Sequence, residues 1–225
     1  MSEKISKKSI FIAEAGINHD GDIEKAKKMI DVAAEANADY VKFQSFKAKK
    51  LVTLNSLTSS YIDKGSHVGE SFQDLLKRLE LSEESHKELK LYCDQKEIKF
   101  LSTAFDSESF DFLLELGIDL VKVASGDVTN LPLIKYMAKA QLPMVISTGM
   151  ATLGEIEEAV ATVESTGNRN ITLLHCISWY PARVETTNLL FMHTLEKAFG
   201  YPVGYSAHTL GINMSIAARA LGAKV

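Results

Sequence analysis

Short apolar runs punctuate the chain, and almost every one ends in a small polar cluster. Residues 10–13 run into Glu14, and Tyr40 and Val41 lead into Lys42, Phe43 and Gln44. Phe100 and Leu101 end in Ser102 and Thr103, while Leu120 and Val121 lead through Lys122 to Ser125. Residues 144–146 end in Ser147, Thr148 and Gly149; residues 171–174 end in His175; residues 203–205 end in Ser206 and His208. Runs this short, rich in β-branched residues, predict strands near 9–13, 40–43, 99–102, 120–123, 144–147, 171–175 and 202–205. The stretches between them predict helices near 23–36, 83–97, 107–116, 130–140, 153–165, 188–199 and 212–221. Thr152 and Glu155, three apart, make a capping-box signature, and Gly117 and Gly167 fall where left-handed helix ends are common.

Strands alternating with helices predict βα units around a parallel sheet. The expected fold class is α/β, a (β/α)8 TIM barrel. Polar side chains at the carboxyl ends of its parallel strands then meet on one rim, where such barrels place their active sites. Residues 223–225 read as the start of an eighth strand, so residues 1–225 are expected to form a TIM-barrel catalytic domain truncated at the start of strand 8. A doubly wound open sheet is the alternative fold, disfavoured because no G-x-G-x-x-G turn follows the first strand. The connection from Phe46 to Leu81 exceeds a tight link and reads as a lid, a binding segment or a disordered loop carrying Lys47, Lys49, Lys50, Tyr61, His67 and Gln73.

Bulk composition narrows the class further. The chain has 225 residues, 46% hydrophobic and 24% charged, enough for one large core in a globular protein. The net charge of −4 argues against nucleic acid as a partner, so attraction for anions must be local. No run is long and apolar enough for a membrane span, and residues 1–8 lack the apolar stretch of a signal peptide. Cys93 and Cys176 fall in a helical pattern and at a strand end, a context that predicts no disulfide and fits a cytoplasmic location.

Lys42 and Lys122 stand inside apolar strand runs, where an amine is costly unless it meets an acid or an anionic ligand. The structural alternative is a core ion pair with Glu14 or Asp127. Ser102 with Thr103, Ser125 with Gly126, and Ser147 with Thr148 precede turns or helices, whose free N–H groups suit phosphate; simple capping is the competing explanation. Glu14 is a candidate acid/base group or a partner of Lys42. His86 and His193 lie in helical patterns and read as surface or packing residues. His208 ends the seventh strand, a hydrogen-bonding group or a metal ligand, with no second ligand close by in sequence. His175 and Cys176 are adjacent on a strand, face opposite ways, and form no nucleophile–base pair.

The stretches IAEAGINHDG (12–21), YVKFQS (40–45), FLSTAFD (100–106), VKVASG (121–126), ISTGMAT (146–152), LHCISWYP (174–181) and VGYSAHTLG (203–211) together resemble the N-acetylneuraminate (sialic acid) synthase family, which includes legionaminic and pseudaminic acid synthases and spore-coat polysaccharide synthases. The resemblance covers the chain from about residue 9 onward. It implies a (β/α)8 barrel followed by a small antifreeze-like domain, absent from these residues, that closes the partner's active site in a homodimer. It implies condensation of phosphoenolpyruvate with an open-chain N-acetylated amino sugar, giving a nine-carbon 2-keto-3-deoxy acid and phosphate, with a divalent cofactor, Mn²⁺ or Mg²⁺. On this likeness Lys42, Thr103, Lys122, Ser125, Ser147, Ser178 and Ser206 would bind phosphoenolpyruvate. Glu14, Asn18, His19, Gln44 and Tyr180 would meet the sugar. Glu14, Lys42, Lys122 and His208 would act in catalysis, with His208 also a metal ligand whose histidine partner lies in the eighth strand.

One departure stands out: the family usually reads Ser-Asp-His-Thr where this chain has Ser206, Ala207, His208 and Thr209, which leaves the identity of the sugar open. Two alternatives stay open beside the main expectation. One is a phosphoenolpyruvate-condensing synthase acting on a phosphorylated aldose; the other is a non-catalytic barrel that binds a phosphorylated ligand.

Overall fold

A computed structural model describes residues 9–53 and 71–225. Two compact units result: Ile12–Ile118, and Asp119–Val225 joined by the leading residues through Phe11.

The Ile12–Ile118 unit carries a parallel sheet of β1 (Ile12–Gly16), β2 (Tyr40–Ser45) and β3 (Lys99–Ala104), in that order. Helices α1 (Ile23–Glu35), α4 (Glu83–Gln95) and α5 (Ser107–Glu115) match three of the sequence expectations, and Asp22, Ser82 and Asp106 cap them by accepting first-turn backbone N–H bonds. The long connection is not a bare loop. It contains α2 (Ala48–Leu51) and α3 (Phe72–Leu79), whose Ala48, Leu75, Leu76 and Leu79 bury against Phe46, with Ile17, Val52 and Phe105 alongside. Its lysines also have local uses: Lys47 pairs with Glu80 at 3.2 Å and Lys50 with Glu108 at 2.6 Å. Tyr61 and His67 lie outside the described residues.

The second unit carries β4 (Val121–Val123), β5 (Met144–Ser147), β6 (Ile171–Cys176) and β7 (Val203–Ser206), also parallel and in chain order. Helices α6 (Leu131–Ala138), α7 (Leu153–Glu164), α8 (Phe191–Phe199) and α9 (Asn213–Ala220) follow their strands. The Thr152–Glu155 capping box forms, and Gly117 and Gly167 take φ of +83° and +87°. Within each sheet the strands lie in chain order. Residues 223–225 extend the second sheet: Lys224 N–H donates to Val203, Tyr205 N–H to Val225, and Ile10 N–H to Lys224. The first strand starts at Ile12 rather than near residue 9, because residues 9–11 belong to this edge.

Both cysteines are free and buried, and burial pushes the Cys93 thiol up to about 12. In the first unit, β2 and β3 alternate faces. One face presents Phe43, Ser45, Phe100 and Ser102; against it lie His86, which shares a 2.7 Å hydrogen bond with Ser45, and His19, whose ring centroid is 6.1 Å from that of Phe43. His19 is fully buried, and its Nδ1 accepts the Gly21 N–H, so a second proton has no room at that nitrogen. Burial, helped by nearby His86, lowers its pKa to about 4, and burial lowers His86 and His175 as well.

An imidazole whose folded pKa is depressed contributes stability above its unfolded pKa of 6.5 and loses it as pH falls toward the folded value. For His19 the window is 6.5 down to about 4, a cost of about 3 kcal/mol. The melting temperature should therefore drop between pH 7 and pH 4.5, and His19→Phe should flatten this acid limb. An identical pH profile in that variant would contradict the assignment.

Candidate active site

In the Ile12–Ile118 unit the candidate side chains are aligned by register. Glu14 lies opposite Lys42, and the pairing then slips so that Gly16 faces Phe43. This bulge is made possible by Gly16 at φ +56°, a conformation costly for residues with a Cβ. Glu14 Oε2 sits 2.7 Å from Lys42 Nζ, which also donates to Thr103 Oγ1 at 3.1 Å. The amine is 8% exposed, the carboxylate solvent-facing. Gln44 leaves β2 on the same face as Lys42, and its Nε2, like Glu14 Oε1, borders Gly16. Glu14, Lys42, Gln44 and Thr103 thus form one group. Asn18 is exposed and ties the following turn by donating from Nδ2 to Ala15 O at 3.0 Å. His19 does not join them: it packs on the opposite face, beside Phe43.

In the second unit, register places Lys122, Ser147, Cys176 and Ser206 on one face of the sheet. Lys122, also 8% exposed, donates to Ser147 Oγ and to Val123 O, both at 2.7 Å. Asp127 follows Ser125 in a single 3-10 turn; burial raises its pKa, against the opposing pull of the Lys122 charge. Ser125 Oγ accepts the Gly149 N–H at 3.1 Å and lies 3.0 Å from Cys176 Sγ. Gly149 has no room for a side chain: a Cβ there would stand 2.5 Å from Ser178 Oγ, 2.7 Å from Cys176 Sγ and 3.0 Å from Ser125 Oγ. Ser178 Oγ is buried and makes no hydrogen bond. An amine and three hydroxyls gathered here can form a donor set for a tetrahedral oxyanion.

The loops after β6 and β7 are laced together. Ala182 N–H donates to His208 O, and His208 Nδ1 lies 2.9 Å from Ile177 O. Tyr180 packs against the His208 ring at a tilt of 44°, with centroids 4.3 Å apart. A protonated Nδ1 bonded to a carbonyl leaves Nε2 as a lone-pair donor, the arrangement of an imidazole prepared for a metal. Among the described residues, however, no three His, Cys, Asp or Glu side chains gather to enclose an ion. His175 faces away from Cys176, its Nε2 2.5 Å from Thr187 O, so the two form no nucleophile–base pair. Cys176 and Gly149 escaped the sequence reading as parts of this group, although strand alternation in phase with Ser147 and Ser206 places the thiol there.

These features define a parallel α/β protein whose strands carry buried lysines bonded to hydroxyls. The NeuB family pattern matches residues 29–225, and the chain belongs to that family. It is 49% identical, over 97% of its length, to the N,N'-diacetyllegionaminic acid synthase of Campylobacter jejuni, and 38% identical over 96% to the human N-acetylneuraminate-9-phosphate synthase. It spans 66% and 60% of those proteins. The crystal structure of the N-acetylneuraminic acid (sialic acid) synthetase from Leptospira borgpetersenii, in complex with citrate, superposes with a TM-score of 0.86 at 33% identity, covering 97% of this chain and 71% of that one.

Proposed function

We propose that the protein takes part in condensing phosphoenolpyruvate with an open-chain N-acetylated amino sugar to give a nine-carbon 2-keto-3-deoxy sugar acid and phosphate. The observation that carries this reading is the donor set of the second unit, a buried lysine bonded to Ser147 beside the Ser125, Gly149 and Ser178 cradle. It suits the phosphate of phosphoenolpyruvate, with Ser206 in phase on the next strand. Lys42 and Thr103 are further phosphoenolpyruvate ligands in this reading. Glu14, Asn18, Gln44 and Tyr180 meet the sugar.

In the reaction, C3 of phosphoenolpyruvate forms a bond to the aldehyde carbon, whose oxygen becomes a hydroxyl by taking up a proton. Water adds its oxygen to C2, the C2–O bond to phosphorus breaks, and phosphate leaves with the electron pair as C2 becomes a ketone. Lys122, Ser147 and Ser125 hold phosphate oxygens and favour the charge that grows on them as the bond breaks. In this reading Glu14, paired with Lys42 at 2.7 Å, exchanges the proton at the aldehyde oxygen. A divalent ion, Mn²⁺ or Mg²⁺, with His208 among its ligands, would supply Lewis-acid polarisation of that aldehyde. The barrel reading, with residues 223–225 opening its eighth strand, belongs to this proposal, as do a cytoplasmic location and a homodimer.

The name of the Campylobacter relative states a product with two N-acetyl groups. Phosphoenolpyruvate carries no nitrogen, so such a product requires a diacetamido acceptor, which we place first among candidate sugars. The human relative's name, a 9-phosphate synthase, favours a second reading in which the acceptor is a sugar phosphate. A phosphate-release assay with phosphoenolpyruvate, Mn²⁺ and a panel of acceptors separates them. Release with unphosphorylated N-acetyl sugars is expected. Release confined to sugar phosphates would establish the second reading, and binding of phosphoenolpyruvate with no turnover would mark a non-catalytic ligand-binding barrel.

A further inference from the structure

The Ser125 hydroxyl has three hydrogen-bonding directions: two lone pairs and one proton. The Gly149 N–H fills one lone pair at 3.1 Å. The Cys176 thiol, 3.0 Å away, meets another of the three. Cys176 is 4% exposed and stands at the end of β6, its Sγ also flanking the space that Gly149 leaves open. Two arrangements satisfy the pair. If Ser125 donates to sulfur, its remaining direction is a lone pair, which repels an anion. If the thiol donates to Ser125, both lone pairs are filled and the Ser125 proton points away from Gly149 and Cys176, available to an incoming oxyanion.

We infer that Cys176 is a positioning residue: its thiol occupies the second lone pair of Ser125 and so directs the Ser125 proton to the phosphate oxygen of phosphoenolpyruvate. The inference rests on the reading of this cradle as the phosphate site. It explains why a thiol, rather than another apolar residue, ends β6 in phase with Ser147 and Ser206. The same direction of donation gives the buried S–H an acceptor, whereas the opposite one leaves it with no hydrogen-bond role. Serine at this position would keep the donor; alanine would remove it and leave the Ser125 proton unguided.

A calorimetric titration of phosphoenolpyruvate into the purified protein and four variants tests this. Ser125→Ala should weaken binding about tenfold, the usual effect of losing one hydrogen bond to a charged group. Cys176→Ala should weaken it about fivefold, and Cys176→Ser should restore it to within about twofold. The double variant Ser125→Ala/Cys176→Ala should bind no more weakly than Ser125→Ala alone, because Cys176 acts through Ser125. Thermal melts run in parallel separate this from unfolding, and the serine variant keeps the test alive if alanine proves unstable. Additive losses in the double variant, or failure of serine to rescue, would overturn the positioning role. Unchanged binding in Ser125→Ala would instead overturn the phosphate-site reading beneath it.

Discussion

Lys122→Ala is expected to raise the phosphoenolpyruvate KM at least about tenfold, since a buried charge-assisted contact to phosphate contributes on the order of 1.5–3 kcal/mol. The same substitution is expected to lower the melting temperature somewhat, since the amine also holds the Ser147 hydroxyl and the Val123 carbonyl at 2.7 Å in the free protein. Lys122→Met, of similar volume without the charge, should show the same pair of effects with less cavity formation. Calorimetric affinity for phosphoenolpyruvate and a thermal melt decide the matter. A variant that binds normally would remove Lys122 from the phosphate site; a variant that binds poorly only because it has unfolded would show the lysine to be structural.

Much of this arrangement is legible in the chain itself, for a definable reason. Each strand of a parallel sheet is a short apolar run, and the residues that end it are the ones the fold exposes at the carboxyl edge. Lys42, Lys122 and Ser147 announce themselves by interrupting or ending such runs. Helix limits follow equally well from local chemistry, as the caps at Asp22, Thr152 and Asp106 show. What local chemistry does not encode is register. The pairing of Glu14 with Lys42, and the bulge just after it where Gly16 faces Phe43, depend on two strands at once. So does the face occupied by His19: its place in the 12–21 stretch suggested a sugar contact, yet its ring packs beside Phe43, behind the strand that carries Lys42. The connection from Phe46 to Leu81 misled for another reason. Length suggested a loop, whereas an amphipathic turn of helix at Phe72–Leu79 finds its apolar partner in Phe46, one that no local window contains.

Gly149→Ala is expected to impair the site as severely as the loss of Lys122, by sterics alone. The new methyl group would meet Ser178 Oγ at 2.5 Å, Cys176 Sγ at 2.7 Å and Ser125 Oγ at 3.0 Å. One such contact is relieved by rotating a hydroxyl. Three at once are not, because they come from the turn after β4, the end of β6 and the loop beyond it, and Cys176 is buried. Overpacking of this kind costs roughly 1–3 kcal/mol, which for a chain of this size lowers the melting temperature by roughly 2–4 °C per kcal/mol. Phosphoenolpyruvate affinity should fall at least about tenfold as well, since the hydroxyls pushed aside are the donors proposed for phosphate. The steric origin makes a further demand: Ser178→Ala, which deletes the atom in closest conflict, should recover part of the lost melting temperature when combined with Gly149→Ala, while leaving affinity low because a donor is gone. If Gly149→Ala melts and binds like the unsubstituted protein, the three side chains have room to swing clear, and the crowded cradle on which the phosphate assignment stands is not rigid enough to select a tetrahedral anion.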